Sequence, residues 1–366
     1  MVAGTMPNNL AIVLTARPSY AKLKPIIQAL LDIRVVPDLY VCASALLERY
    51  GNVSEQVAKD FPACTLFPVY SALEGSNSVV SVLSTGSLVS ALGRAFAIRT
   101  PRMVVVMADR HETLAASIAA SYQNIPLAHL QGGETSGNID QKVRWANTAL
   151  ADYHFPATYH AEWELIGYVS RDRVWMYGCP SIDVARVALT QPPVTDEELG
   201  GDGDSIDLSK PFLTVLYHPE TEHPEQAQGE MGYILETLYG EELPYVVFWP
   251  GQDSGMDGVS KAIRVAKGWN GPPMRTVRTL PPERFLRLMA QTTALIGNSS
   301  AGIRECGYIG TPVYNVGDRQ KGRERGPNVM DWEDCEFTHR ERFPSSTLYG
   351  DGYAAPKIAA KLKELL

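Results

Sequence analysis

The chain has 366 residues, of which 45% are hydrophobic and 20% are charged, and its formal net charge at pH 7 is −8. This length suits two domains, and this composition is typical of an ordered soluble protein. The negative charge balance disfavours broad electrostatic binding to nucleic acid or to anionic membranes. We therefore expect no nucleic-acid partner, and a phosphate site would have to be assembled locally.

The sequence carries no evident targeting or membrane signal. No run of 18 or more apolar residues occurs, and no basic region precedes the short apolar run near the N-terminus. The cysteines lack CxxC spacing, which is typical of reduced thiols rather than of disulfides or zinc sites. They are Cys42, Cys64, Cys179, Cys306 and Cys335. We expect a cytoplasmic protein with no membrane association, metal or cofactor.

The first half of the chain alternates short apolar runs with longer amphipathic stretches. In chain order the pattern predicts strand 9–15, helix 20–33, strand 38–42, helix 45–50, helix 79–98, strand 103–107, helix 112–123, strand 127–130, helix 142–151, strand 153–155, helix 157–168 and strand 174–177. Strands separated by helices predict parallel β-α-β units. The expected fold is a doubly wound α/β sheet that binds ligands at the carboxyl ends of its strands.

The alternation stops where prolines, glycines and aspartates dominate, between residues 190 and 210. We predict a linker over 189–210, between a first domain over 1–188 and a second over 211–352. In the second domain the pattern predicts strands 212–217, 245–249 and 274–277, helices 225–238 and 259–267, and a last helix over 354–366 that follows the domain. Two α/β halves with a cleft between them give a ligand two walls.

A Gly-Asn-Ser-Ser run, residues 297–300, follows the strand-like stretch 293–296 and leads into a predicted helix. Small residues let the backbone approach an anion, and hydroxyls and N–H groups at a helix start donate to it. An ordinary helix cap has the same composition. Glu305, about two turns into that helix, would reach a sugar hydroxyl. Three cations follow in one loop, which favours a phosphate-bearing ligand; they are Arg319, Lys321 and Arg323.

Two further polar clusters follow predicted strands of the first half. Arg17 ends the first strand and Lys22 lies one turn into the next helix, so both can face a diphosphate. Two solvated charges at a helix start are the alternative. Asp109 and Arg110, with Glu112, follow the apolar strand 103–107, where Asp109 would alternatively cap the helix.

A third cluster combines titratable groups with glycines that permit close approach to a ligand. His129, Glu134 and Asp140 are its acid–base candidates, and the alternative is a glycine-rich turn with capping carboxylates. His218 ends the first strand of the second half and would point into the cleft. Glu222 and His223 follow His218, but the three residues come after a strand and lack the i, i+4 spacing of metal ligands on a helix. No metal is therefore expected there.

Taken in this order, the clusters resemble the UDP-N-acetylglucosamine 2-epimerase family, and within it the hydrolysing branch that forms N-acetylmannosamine. The resemblance runs from about residue 12 to about residue 328. It rests on Arg17 with Lys22-Leu23, Asp109-Arg110 with Glu112, Gly132-Gly133-Glu134 with Ile139-Asp140 and Arg144, Gly178 with Pro180 and Ile182-Asp183, His218-Pro219, Gly297-Asn298-Ser299-Ser300 with Gly302 and Glu305, and Gly317-Asp318-Arg319-Gln320-Lys321-Gly322-Arg323.

The resemblance implies the GT-B architecture, in which two Rossmann-like domains with doubly wound parallel sheets enclose a cleft. The second domain would hold most of the nucleotide, and a final helix within 353–366 would complete the first. It also implies a UDP-sugar substrate, with Glu305 on the ribose hydroxyls. The residues implied to bind this substrate are Arg17, Lys22, Arg110, Arg144, His218, Asn298, Ser299, Ser300, Gly302, Glu305, Arg319 and Arg323. Related enzymes are often dimers, so a homodimer is expected.

The family's reaction begins with anti elimination of UDP after a base removes the C2 proton, and water then adds to the glycal-like intermediate. The resemblance implies that the residues at positions 109, 140 and 131 perform these proton transfers, which here are Asp109, Asp140 and Gln131. The chain departs from the family here, because Gln131 replaces a glutamate, Ser19 an aspartate and Trp145 a histidine, and Ala45 stands where the hydrolysing branch often has histidine. An amide orients a substrate but takes up no proton at neutral pH.

Either Asp109, Glu134, Asp140 or His129 assumes the missing role, or the reaction differs. The alternative function is a sugar-nucleotide-dependent GT-B glycosyltransferase or a repurposed relative, which needs no C2 proton abstraction. A third class is a sugar-nucleotide-binding protein without catalysis. An NAD-dependent enzyme is disfavoured, because no GxGxxG turn follows the first strand.

Overall fold

A computed structural model describes residues 10–48, 53–71, 73, 78–137, 139–220, 222–251, 253–334 and 341–366 of the chain. Cys335 and the ends of two predicted elements, at residues 9 and 49–50, lie outside these ranges. The four cysteines within them are free and buried.

The first sheet consists of six parallel strands. They are β1 Leu10–Leu14, β2 Asp38–Cys42, β3 Thr65–Val69, β4 Met103–Met107, β5 Leu127–Leu130 and β6 Tyr153–Phe155. Their order across the sheet is β3-β2-β1-β4-β5-β6, so the chain winds outwards from β1 in both directions. The accompanying helices are α1 Arg17–Asp32, α2 Val53–Asp60, α3 Ser78–Arg99, α4 His111–Ser121, α5 Asp140–Leu150, α6 Tyr159–Ile166 and α7 Pro180–Ala188.

The alternation of side chains along β1 shows why helices cover both faces of this sheet. Leu10, Ile12 and Leu14 join one buried cluster with α1, whereas Ala11 and Val13 join another with α3 and α4. Successive residues of a strand point to opposite faces. A strand without polar residues therefore needs an apolar partner on each side, as parallel sheets generally do.

The second sheet has seven strands. The elements of this half are α8 Asp196–Leu199, β7 Asp202–Gly203, β8 Leu213–Leu216, α9 Ala227–Tyr239, β9 Tyr245–Phe248, α10 Met256–Ala266, β10 Met274–Val277, α11 Pro282–Gln291, β11 Ala294–Gly297, α12 Ser300–Ile303, α13 Glu305–Ile309, β12 Val313–Asn315 and β13 Val329–Asp331. The strand order is β13-β12-β11-β8-β9-β10-β7, and β7 alone among these runs antiparallel to its neighbour.

The segment predicted as a linker contains α8 and the edge strand β7. Gly201 and Gly203 have positive φ angles of 83° and 114°, and a Cβ on Gly201 would lie 2.3 Å from the Thr276 carbonyl oxygen. The glycines that resemble a linker in sequence thus allow the chain to approach β10. Val194 and Leu199 are buried in the core of the second half.

The last helix, α14 Ala354–Leu365, returns to the first sheet, where Ile358 and Leu362 join the cluster that contains α1. Asp183 of α7 caps its first turn, because the backbone N–H groups of Ala354 and Ala355 donate to that carboxylate at 3.0 and 2.8 Å. The cap satisfies helix-start donors that would otherwise be unpaired.

Three sequence predictions are wrong in detail. Where a helix is predicted over 45–50, the described residues form a short 3₁₀ helix, Ala43–Leu46, instead of an α-helix. The predicted strand 174–177 is absent from the described chain, where Val174 makes one isolated bridge to His154. The helix predicted after the Gly-Asn-Ser-Ser run breaks at Arg304 (φ −83°, ψ −70°) into α12 and α13. Glu305 consequently begins a second helix instead of lying two turns into one.

Helix α3 is long and has several exposed apolar side chains. Over Val79–Arg99 it is long and apolar enough to cross a membrane by length and composition, with a mean hydropathy of 1.4 over 18 residues and 22% of that window buried. Leu88, Leu92 and Phe96 pack on the sheet. Val79, Val82, Leu83 and Ile98 are each more than half exposed.

Candidate active site

One cavity of about 1310 Å³ lies between the two sheets. Its lining comes from segments that follow β1, β4, β8, β9, β10 and β11, so the carboxyl ends of strands from both sheets face it. Pockets for drug-sized ligands usually occupy about 300–1,000 Å³. This cavity therefore has room for a larger ligand, such as a nucleotide joined to a second ring.

The first half contributes cations to the cavity wall. Arg17, at the start of α1, crosses to the second half and donates from Nη2 to the Leu280 carbonyl oxygen. Burial lowers the pKa of Arg17 to about 10, which leaves it charged at neutral pH. Arg110 pairs with Glu112 at 3.0 Å, and its Nη1 lies 3.6 Å from Oδ1 of Asp253 in the second half.

The second half contributes the serines of the Gly-Asn-Ser-Ser run. Ser299 caps α12 by accepting from the Ala301 N–H at 3.3 Å, and Ser300 also lines the cavity. The run can approach β8 only because residue 297 is glycine with φ 137°, where a Cβ would lie 2.1 Å from the Leu216 carbonyl oxygen. The serine hydroxyls and the nearby Arg319 form an anion-compatible surface.

Asn298 supports this surface from behind. Its amide accepts from the backbone N–H of His218 and donates to the His218 carbonyl oxygen, both at 2.8 Å. Its own carbonyl oxygen accepts from Gln320 at 2.8 Å and from Arg319 at 3.3 Å. Asn298 is buried and outside the cavity lining. It holds three loops together rather than presenting its side chain to a ligand.

Glu305 and His218 both face the cavity with an unpartnered polar atom. Oε2 of Glu305 and Nδ1 of His218 have no hydrogen-bond partner among the described residues. Glu305 is only 8% exposed, and buried acceptors are normally satisfied, so a ligand hydroxyl fits there. Burial, together with Arg319, lowers the pKa of His218 to about 4, and the ring is neutral at pH 7.

Asp109 lines the cavity and pairs with Nη2 of Arg144, a side chain that is only 1% exposed. Burial alone would raise the pKa of Asp109, but Arg144, Arg323 and Lys22 outweigh it and hold this pKa far below its usual range. Asp140 lines the same region, where Nη2 of Arg319 lies 3.9 Å from its Oδ2.

Gln131 lies behind Lys22 in a left-handed backbone conformation, with φ 63°. Its Oε1 accepts from Lys22 Nζ at 3.1 Å, and its Nε2 donates to the sulfur of Cys179 at 2.7 Å. The amide is only 1% exposed. Both ends of the amide therefore have partners, and Gln131 positions Lys22 at the cavity.

A small polar recess of about 60 Å³ adjoins the main cavity and shares part of its lining. Four cations and two carboxylates surround it. Its lining comprises Lys22, Asp109, Ser136, Asp140, Ser300, Arg304, Arg319, Gln320 and Arg323. Positive side chains outnumber negative ones here, as an anionic ligand requires.

Several sequence candidates lie outside the cavity lining. Glu134 is buried in an ion pair with Nη2 of Arg304 and with Nε of Arg323 at 3.4 Å. His129 is fully buried, with Nε2 2.9 Å from the Ala108 carbonyl oxygen and Nδ1 3.2 Å from the Thr148 hydroxyl. A Cβ on Gly302 would lie 2.8 Å from a methyl group of Val313, so this glycine serves packing.

The cavity also contains residues that the sequence analysis missed as site candidates. Asp253 lies close to both Arg110 and His218, with its Oδ2 3.9 Å from the His218 ring nitrogen. Arg278 and Leu280 line the cavity after β10. All three follow predicted strands of the second half, so the same strand-end rule would have found them. No group of three or more His, Cys, Asp or Glu suited to a metal ion occurs in the described part of the chain.

The two Rossmann-like halves and the anion-compatible cleft define a GT-B protein. Its fold matches a solved structure of UDP-GlcNAc 2-epimerase from Methanocaldococcus jannaschii in complex with UDP-GlcNAc and UDP, with a TM-score of 0.73, 14% identity and coverage of 97% of this chain and 99% of that one. The UDP-GlcNAc 2-epimerase from Neisseria meningitidis bound to UDP-GlcNAc gives a TM-score of 0.67 at 19% identity, covering 85% and 83%.

Residues 39–363 match the sequence profile of the family described as UDP-N-acetylglucosamine 2-epimerase, and the chain belongs to that family. A similar curated protein is the UDP-N,N'-diacetylbacillosamine 2-epimerase (hydrolyzing) of Legionella pneumophila, 29% identical over 342 residues that cover 90% of this chain and 88% of that protein. The GDP/UDP-N,N'-diacetylbacillosamine 2-epimerase (hydrolyzing) of Campylobacter jejuni is 28% identical, covering 79% and 74%.

The predicted family, the GT-B fold and the assignment as a UDP-sugar 2-epimerase enzyme are confirmed. The relatives do not favour the glycosyltransferase alternative, because those described above are named as epimerases.

We predict that Glu134→Gln lowers the free energy of unfolding by about 3 kcal/mol, because it leaves Arg304 and Arg323 buried without their carboxylate. Urea unfolding at pH 7 measures this loss. Burial raises the pKa of Glu134, but Arg304 and Arg323 outweigh it and lower the pKa to about 2, from 4.5. The stabilisation is therefore present above pH 4.5, and it is lost as the pH falls towards 2.

The matched control is Asp318→Asn, which removes a carboxylate from an exposed pair with Lys321. Exposed pairs contribute about 0–1 kcal/mol, so this variant should unfold close to the wild-type midpoint. Equal losses in the two variants would contradict a stabilising role for the buried Glu134 pair.

Proposed function

We propose that this protein is a hydrolysing 2-epimerase of a UDP-2-acetamido sugar, which eliminates UDP and adds water to form the 2-epimeric free sugar. For UDP-N-acetylglucosamine the product is N-acetylmannosamine. The observation that carries this proposal is the meeting of cations from both halves at one cavity that Asp109 and Asp140 also line. Such a cavity stabilises a departing diphosphate beside carboxylates that can orient the sugar and water.

In this proposal the diphosphate binds between Arg17 and Arg319, with the serine hydroxyls of residues 299 and 300 as further donors. His218 contributes a neutral imidazole that can donate to a phosphate oxygen, and Glu305 accepts from the ribose hydroxyls. Arg110 and Arg323 add positive charge at the sugar end, and Lys22 places its ε-amine there. Asp109 and Asp140 remain as carboxylates for the chemical steps. Arg144, Asn298 and Gly302 act by holding these groups in place.

The sugar is proposed from the named relatives together with the cavity lining. Those relatives are named for UDP-N,N'-diacetylbacillosamine, a sugar that carries a second acetamido group. Ile139 and Val143 give the cavity apolar surface on either side of Asp140 in the chain. Apolar side chains accommodate methyl and acetyl groups better than they accommodate hydroxyl groups. We therefore place UDP-N,N'-diacetylbacillosamine beside UDP-N-acetylglucosamine as the two substrates to test.

The function is tested by incubating the protein with each of these UDP-sugars in deuterated water. We expect UDP release without any acceptor and one deuterium at C2 of the free 2-epimer, because that carbon receives its new proton from solvent. Mass spectrometry and NMR of the sugar measure both. UDP release that requires an added sugar acceptor, or a product without deuterium at C2, would contradict the proposal.

The binding roles are tested with Arg17→Ala and Arg319→Ala. Each removes a cation from the proposed diphosphate site, and we expect UDP to bind at least tenfold more weakly, because charge-assisted hydrogen bonds contribute about 1.5–3 kcal/mol. Titration calorimetry with UDP measures this change. Arg171→Ala is the control, since this exposed arginine pairs with Glu162 outside the cavity lining. Unchanged UDP affinity in the Arg319 variant would refute the assignment.

We further propose a cytoplasmic homodimer that binds neither nucleic acid nor membrane. The exposed apolar face of α3 supports self-association, because exposed apolar surfaces of this kind mark interaction sites. A helix of 22 residues presents about 33 Å of surface, which can pair with the same helix of a second copy about a two-fold axis.

Leu83→Glu places a charge in the middle of this face, and we expect the variant to elute at the monomer mass. Light scattering coupled to size-exclusion chromatography measures the mass. Val36→Glu introduces the same charge at another half-exposed apolar position and should leave the dimer intact. A wild-type protein of monomer mass would contradict the dimer.

A further inference from the structure

An amine lies next to the position where the family's catalytic carboxylate is missing. Lys22, in the second turn of α1, lines both the main cavity and the small recess. Its Nζ lies 3.1 Å from Oε1 of Gln131, the residue that replaces the glutamate. The ammonium group is therefore held by an amide that cannot accept its proton.

Two of the acidic groups nearby, Asp109 and Glu134, are weak bases in this arrangement. Asp109 is paired with Arg144, and its pKa lies far below the usual range, so it has little tendency to take up a proton. Glu134 is buried between Arg304 and Arg323, outside the main cavity. Asp140 faces Arg319 across the cleft.

The surroundings of Lys22 make its ammonium group lose its proton more readily than an ordinary lysine does. Burial, followed by the nearby charge of Arg304, lowers the pKa of Lys22 to about 8. Cys179, Glu305 and Asp109 raise this pKa, each with a smaller effect. The charged and titratable groups that face Lys22 or share its recess are Asp109 after β4, Asp140 of α5, Cys179 before α7, Arg304 and Glu305 at the α12–α13 break, and Arg319 and Arg323 of the following loop.

We propose that the ε-amine of Lys22 is the base that removes the C2 proton of the UDP-sugar, in place of the absent glutamate. This inference rests on the proposed function. The C2–H bond breaks and its proton passes to the unprotonated amine, while its electron pair forms the C1–C2 double bond. The C1–O bond breaks, and its electron pair leaves on the β-phosphate of UDP. Water then supplies a hydroxyl to C1 and a proton to C2, and the ammonium group returns its proton to solvent.

The first test compares Lys22→Arg with Lys24→Arg. Arginine keeps the positive charge but stays protonated, so UDP should still bind within about threefold of wild type, whereas turnover should fall at least a hundredfold, as loss of a general base does. Lys24 lies two residues further along α1, where it pairs with Asp60 and Glu283 outside the cavity lining, and its variant should retain full turnover. Calorimetry with UDP and the rate of UDP release measure these quantities.

The second test uses the pH dependence of kcat/KM. Because the neutral amine is the active form, kcat/KM should rise with pH and level off above about pH 8. Gln131→Glu places a carboxylate next to the amine and raises the pKa of Lys22, so this inflection should move to higher pH or disappear. A lysine with a purely structural role would produce neither the inflection in the wild-type profile nor its shift in the variant.

The outcomes separate this inference from the proposed function. If wild-type protein releases no UDP from either sugar nucleotide, the proposed function fails and the inference fails with it. If wild type turns over and Lys22→Arg does so within threefold, Lys22 acts only as a cation and the inference alone fails. A wild-type profile that is flat from pH 6 to 9 would also overturn it.

Discussion

The site depends on one buried ionic network that joins the two halves beneath the cavity. Glu134, from the loop after β5, pairs with Arg304 and Arg323 of the second half. Arg144 donates to the backbone carbonyl oxygen of Glu134 and to the carboxylate of Asp109. Removing charges from water is costly unless they are paired and hydrogen-bonded. The network therefore holds the two halves in place relative to each other beside the small recess.

The same network sets the protonation of the groups at the cavity. Arg144 and Arg323 hold Asp109 ionised, whereas burial and Arg304 disfavour the charged form of Lys22. The pKa values of both groups are lowered, because nearby arginines stabilise the charged form of Asp109, whereas burial and Arg304 destabilise the charged form of Lys22. The same arginines thus hold the two halves together and set the pKa values of Asp109 and Lys22. A change that separates the halves would alter these pKa values as well.

Sequence patterns predicted several of the side chains that line the cavity, because the carboxyl ends of parallel strands meet at one edge. Arg17, His218 and Ser299 all face the cavity by this rule. The rule could not predict which side chains of the loop after β5 reach the cavity. Gln131 and Gly133 adopt positive φ angles of 63° and 82°, and these turn the chain. Glu134 is thereby directed into the interior, and no spacing pattern reveals such a turn. The edge strand β7 was missed for a related reason, because its glycines have the composition of a linker.

The glutamine at position 131 changes more than one side chain. A carboxylate there would accept from Lys22 and stabilise its ammonium form, so that the carboxylate would act as the base and the lysine as a fixed cation. The amide removes that negative charge while keeping the hydrogen bond at 3.1 Å, and its Nε2 gains the sulfur of Cys179 as a partner. Lys22 then retains its place but loses the anion that would hold its proton. Replacing a glutamate by a glutamine at position 131 therefore suffices to transfer the role of the base. The role passes from the side chain after β5 to its hydrogen-bond partner Lys22 on helix α1.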